Sequence, residues 1–115
     1  MTKTIRNLIA AMLLIGASHG AMAGFQTGNQ LLTECESENY FEQGACHGYM
    51  EATADTWDTA ALRQIFINDI CYPEGVTVGQ LLKIWVKYAN EHPEKLHLEA
   101  SGLVVNAYHE VFPCD

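Results

Sequence analysis

Val76-Thr77-Val78-Gly79-Gln80-Leu81-Leu82-Lys83-Ile84-Trp85-Val86-Lys87-Tyr88-Ala89-Asn90-Glu91-His92-Pro93 is the stretch whose reading decides the fold. Thr77 stands three residues before Gln80, the spacing at which a threonine caps a helix and a glutamine reaches back to the cap. Val78, Leu81, Leu82, Trp85, Tyr88 and Ala89 then recur at helical spacing, with Gln80, Lys83, Lys87 and Glu91 on the opposite side. Asn90 to Pro93 stops this helix, and Pro93 suits the first position of the next. Leu96, Ala100, Leu103, Val104, Ala107, Tyr108 and Val111 form a second stripe, closed by Phe112-Pro113-Cys114. Two helices joined this closely lie antiparallel. The expected fold is all-α: a small disulfide-bonded bundle of about four helices ending in this antiparallel hairpin.

The N-terminal end is of another kind. Lys3 and Arg6 precede an apolar run from Leu8 to Ala17, and Ala21-Met22-Ala23 has the small-x-small pattern of a cleavage site. Residues 1–23 therefore read as a cleaved secretory signal peptide, and residues 24–115 as one domain. The apolar run is well short of the ~20 residues that span a bilayer. Once the leader is removed, four cations (Arg63, Lys83, Lys87, Lys95) face 14 acidic residues, a net charge of −10. This balance argues against nucleic acid and against an anionic membrane surface. It suits a basic protein partner, although many acidic domains are simply soluble.

Cys35, Cys46, Cys71 and Cys114 in a small exported chain imply two disulfides rather than zinc, since no close Cys pair has ligand spacing. Three pairings are possible. The hairpin brings Cys71 near Cys114 and leaves Cys35 with Cys46, bridges worth about 4 and roughly 3 kcal/mol on a loop-entropy model.

Upstream, Thr27 or Asn29 caps a short helix ending near Cys35. Glu36 to Gly44 reads as a loop, with Gly44 as its breaker. Its Tyr40 and Phe41 are either tucked into the core or exposed for a partner, and the core is favoured because aromatics carry much of a small domain's burial. A second amphipathic helix runs from Ala45 to about Ala61, with Cys46, Tyr49, Met50, Thr53, Trp57, Ala60 and Ala61 on one face and Glu51, Asp55 and Asp58 opposite. Leu62 to Ile70 suits a buried helical turn or a strand, and Tyr72-Pro73-Glu74-Gly75 is a turn. Leu98, Val105 and Phe112 stand seven apart on the far side of the last helix. That seam faces either the centre of the bundle or a second subunit, as a homodimer contact.

No catalytic or cofactor motif is present: no G-x-S-x-G, no Gly-rich phosphate loop, no H-E-x-x-H. His47, His92, His97 and His109 form no recognisable metal-ligand set, and four paired cysteines leave no thiolate nucleophile. The chain reads as a binding protein, not an enzyme, with no cofactor and no metal.

Several short motifs fall in a recognisable order. Phe25-Gln26-Thr27-Gly28-Asn29-Gln30-Leu31-Leu32 with Cys35 comes first. Cys46-His47-Gly48-Tyr49-Met50 with Asp55 follows. The run from Cys71-Tyr72-Pro73-Glu74-Gly75 through Leu81 precedes Tyr88, His92-Pro93, Ala100 and Phe112-Pro113-Cys114. This series resembles the Rap/Tai-type immunity proteins, which protect bacteria from peptidoglycan amidase effectors of type VI secretion systems. One departure is Ala52, where the family often has Gly. The resemblance implies a periplasmic, all-helical, often dimeric protein that occludes the cleft of a cognate cell-wall hydrolase, with no membrane contact after cleavage. The expected effector contacts are Glu38, Tyr40, Phe41, Tyr72 and Glu74, in the two polar or turn-rich loops. A periplasmic acid-stress chaperone is the competing class, since acid would uncover apolar seams as carboxylates protonate. A metal or small-ligand binder using the histidines is a third.

Overall fold

A computed structural model describes residues 25–115, and the expected leader at 1–23 lies outside the described residues. Four α-helices follow one another: α1 (Gly28–Glu36), α2 (Tyr40–Leu62), α3 (Val78–Glu91) and α4 (Ala100–Val111). A 3-10 turn, Pro93–Lys95, lies between the last two, and each of the four helices touches the other three. Among the described residues the only β structure is a pair of isolated bridges, Thr27 with Glu99 and Ile70 with Pro113. The all-α bundle expected from periodicity is the fold observed.

The first and third helices start with the same device. Thr27 and Thr77 each accept a hydrogen bond from the backbone N–H three residues on, and Gln30 and Gln80 reach back to the backbone of the capping threonine. The matching segments Thr-x-x-Gln-Leu-Leu thus supply two capping boxes, and Leu31 and Leu81 carry the chain from each into the core. Gly28 docks α1 on the link before α4. Its N–H donates to Leu98 O at 3.0 Å and that of Asn29 to Leu96 O at 2.8 Å, so two donors unpaired within the helix are satisfied. The approach is close enough to require glycine: a Cβ here would meet Leu103 Cδ1 at 2.7 Å and Leu96 Cα at 3.1 Å.

The hairpin supplies most of the core. Leu81, Trp85, Tyr88 and Ala89 of α3 are buried against Leu103, Val104, Ala107 and Tyr108 of α4, and among the described residues no polar or charged one is buried with them. The Tyr108 hydroxyl lies 3.3 Å from Met50 O and 3.2 Å from Met50 Sδ, which ties α4 to α2. Burial holds its phenol well above the usual tyrosine range. Disulfides join Cys35 to Cys46 and Cys71 to Cys114, the pairing that the hairpin topology favours.

Several boundaries differ from the sequence reading. Glu36 to Gly44 is not a loop. Asn39 accepts from the N–H groups of Phe41 and Glu42, so α2 begins at Tyr40, five residues early. Gly44 lies inside the helix at a cost of roughly 0.5–1 kcal/mol relative to Ala, offset where Cys46 and Met50 are fully buried on the same helix. Pro93 opens only the 3-10 turn, and α4 proper starts at Ala100. Val111 leaves the apolar stripe and is 50% exposed. Leu62 closes α2, and residues 63–70 are neither helical turn nor strand but an irregular connector ending in the Ile70–Pro113 bridge.

Candidate functional site

The last residue of α2 and the connector after it expose three aliphatic side chains close together in the chain. Leu62 is 84% exposed, Ile65 71% and Ile67 92%, a local concentration of apolar surface of the kind that marks interaction sites. Local geometry fixes them there. The N–H of Gln64 donates to Ala61 O and that of Ile65 to Ala60 O, the paired bonds of a Schellman cap. That cap needs a left-handed residue, and Gln64 fills the position at φ 58° where glycine is usual. Phe66 turns inward on Trp57, with ring centroids 4.2 Å apart, leaving the aliphatic neighbours outside. Asn68 Oδ1 accepts from the N–H of Ile70, and the Cys71–Cys114 bridge pins the far end. A corner held at both ends loses little entropy on binding.

The expected contact residues do not form one surface. Tyr40 and Phe41 are 89% and 85% exposed, so of the two expectations the favoured one, burial in the core, is overturned. They occupy the first turn of α2, and Glu38 is exposed in the link before it. Tyr72 lies beside the other end of that helix, about 30 Å away at 1.5 Å rise per residue. It is half-buried and packs edge-on against Tyr108 and Phe112, with its hydroxyl buried and without a partner among the described residues. Burial lifts its phenol to about 12, helped by the Asp58 carboxylate. Tyr72 is therefore a packing residue rather than an exposed aromatic, and Glu74 is exposed in the turn beyond it.

Leu98, Val105 and Phe112 likewise form no continuous stripe, because α4 starts after Leu98. Leu98 is 48% exposed, Val105 packs on the core, and Phe112 packs on Tyr72. Leu62, Ile65 and Ile67 were missed as a site because an apolar run normally signals burial. The left-handed turn that faces them outward had no glycine to announce it.

A groove of about 590 Å³ runs between α2 and α4 beside this corner. Tyr49, Thr53, Thr56, Trp57, Ser101 and Asn106 supply its polar side chains. Ala52, Ala60, Gly102 and Val105 complete the lining. Burial raises the Tyr49 phenol above its ordinary value, opposed by the Ser101 hydroxyl beside it. Ser101 in turn donates to the Glu99 carboxylate at 3.0 Å. Among the described residues no cluster of His, Cys, Asp and Glu could hold a metal ion, and both disulfides are closed.

A rigid helical frame, locked by two disulfides and displaying apolar side chains at a fixed corner, defines a protein-binding module. The chain belongs to the Rap1a immunity protein family: the model described as Rap1a immunity proteins matches residues 27–114, from the Thr27 cap to the last disulfide cysteine. No curated protein and no solved structure matches the chain.

Proposed function

We propose that this protein acts in the periplasm as the immunity partner of a peptidoglycan amidase or endopeptidase delivered by a type VI secretion system, binding the enzyme and occluding its cleft. The observation that carries the reading is the display of Leu62, Ile65 and Ile67 on a frame closed at both ends. Family membership supports an immunity role, and the acidic surface favours rapid encounter with a basic enzyme. Arg63 is the one cation within the corner, so the contact there is chiefly apolar. Burying each aliphatic side chain against a partner contributes up to about 1.5–3 kcal/mol. The chaperone reading needs apolar surface that acid uncovers, whereas these three side chains are exposed with no carboxylate holding them covered. Self-association belongs to the proposal only through the exposed Leu98 end of the expected seam.

The test pairs neutralisation with stability. Cells exporting the cognate hydrolase should lyse when the protein carries Ile65→Ser and Ile67→Ser, and should survive with the unaltered protein. The double variant should lose about 100-fold in affinity for the hydrolase, corresponding to about 2.7 kcal/mol, with its melting temperature unchanged. Full protection by the double variant would refute the assignment of this corner.

A further inference from the structure

Resting on the reading of the Leu62 corner as the partner-binding surface, we infer that the cleft beside Leu62 receives a cationic side chain of the partner protein, with the Asp58 carboxylate as its counter-charge. The cleft holds about 520 Å³ between the last turns of α2 and the chain at Cys71, and Asp58, Leu62, Asn68, Ile70 and Tyr72 are among its walls. Asp58 and Leu62 stand four residues apart on α2, the spacing that sets two side chains next to each other on one helix face. The exposed apolar corner thus has a carboxylate one turn in from its edge. Asp58 is the one carboxylate in the lining, and no lysine or arginine accompanies it there. It is partly buried, and that burial raises its carboxyl above the usual value, with the Asp55 charge adding to the effect. Among the described residues neither a cation nor a hydrogen bond offsets this.

A carboxylate held partly out of water without a counter-charge carries a standing cost, and a cation seated beside it removes that cost. An anionic group would instead meet Asp58 and Asp55 with like charge. A second copy of this chain fits poorly for the same reason, since residues 24–115 carry a net charge of −10. Of its four cations, Lys87 is already paired with Glu91 at 2.7 Å and Lys95 stands over the Tyr88 ring. A metal ion would need more ligands, and among the described residues no three His, Cys, Asp or Glu side chains gather to hold one. The group that fits is an arginine or lysine side chain on a protein of opposite charge. Arginine fits better, because its weakly hydrated guanidinium loses less on entering a cleft walled by Leu62, Ile70 and Tyr72. Its alkyl stem would lie on those apolar walls while the charge pairs with Asp58. Leu62, Ile65 and Ile67 then supply the apolar contact, and the charge pair fixes the register of the partner.

The probe is the peptide acetyl-Leu-Arg-Leu-amide, and its control carries citrulline, which has the shape of arginine without the charge. The backbone N–H resonances of Leu62 and Asn68 in the oxidised protein are followed as each peptide is added. Saturable shifts are expected with the arginine peptide, and binding weaker by at least about tenfold with citrulline. Asp58→Asn should lose the arginine preference by the same factor. Glu51→Gln removes an equal charge from an exposed position outside the cleft and should leave affinity unchanged. Asp58→Asn should also be more stable than wild type at pH 7 while binding less well, a reversal that a packing residue would not give. Equal binding of the two peptides, no saturable shift with either, or an equal loss in Glu51→Gln would each overturn the inference. With the cognate hydrolase as ligand, failure of the corner reading shows as protection by the Ile65→Ser, Ile67→Ser variant. Failure of the cation site alone shows as full affinity in Asp58→Asn where that double variant has lost it.

Discussion

Tyr72 shows what a single side chain does when its surroundings differ from those expected of a turn residue. Its ring fills the space between Tyr108 and Phe112, so Tyr72→Ala should cost about 3–5 kcal/mol, as for other truncated aromatics. Tyr72→Phe keeps the ring and removes a buried hydroxyl that has no partner among the described residues. It should stabilise the protein by up to about 1 kcal/mol. The two variants also differ from wild type in alkali. The folded state holds the Tyr72 phenol at about 12, above its ordinary 10.0, so its contribution is intact below pH 10 and is lost as pH rises through 12. Denaturant titrations across that window should show a shallower decline for Tyr72→Phe. A decline as steep as wild type would mean that the phenol is not held protonated by the fold. The residue's type and turn position were legible in the sequence; its burial depended on two rings at the far end of the chain.

At the scale of elements, α2 carries its acids on the face turned away from the core. Glu51 and Asp55 are exposed there as expected, while Asp58 is half-buried where α2 passes Tyr72. Burial raises the Asp58 carboxyl above its usual value, and the Asp55 charge adds to the effect. A raised carboxyl favours folding below its ordinary value of 3.8 and loses that contribution as pH rises. Asp58→Asn should therefore melt higher than wild type at pH 7, by about 0.3 kcal/mol, the size of one like-charge pair. The advantage should vanish at pH 3, where wild-type Asp58 is neutral. A gain of equal size at both values would point to helix propensity instead. Periodicity gave the face of α2 correctly but not its start. Asn39 outweighed Gly44 because a side-chain cap acts locally, whereas one interior glycine is tolerated once Cys46 and Met50 are buried.

The whole molecule depends on two closures of unequal reach. Cys71–Cys114 spans 43 residues and encloses the hairpin, while Cys35–Cys46 spans 11. Replacing Cys71 and Cys114 with Ala should cost about 4 kcal/mol on the loop-entropy model. It should also release the Ile70–Pro113 bridge and the His109–Asp69 contact at 3.5 Å. Since that bridge anchors the connector, loss of partner binding should accompany the loss of stability in denaturant and affinity measurements. Binding retained at full strength would show that the connector keeps its form without the bridge.

The sequence by itself determined the helical class, the hairpin, the Thr77–Gln80 capping box and the pairing that the hairpin favours for the cysteines. All of these follow from spacing along one chain: a 3.6-residue period, a Thr-x-x-Gln interval, and cysteines beside the two ends of a hairpin. Only the tertiary structure decided which aromatics are exposed, where Leu62, Ile65 and Ile67 point, and that a neutral groove opens between α2 and α4. Those features arise from the meeting of segments far apart in sequence. Tyr72 is covered by Tyr108 and Phe112, Trp57 is met by Phe66 after a left-handed turn at Gln64, and the groove needs α4 laid alongside α2. Local patterns report a residue's own helix face, but exposure is set by what the rest of the chain places against it.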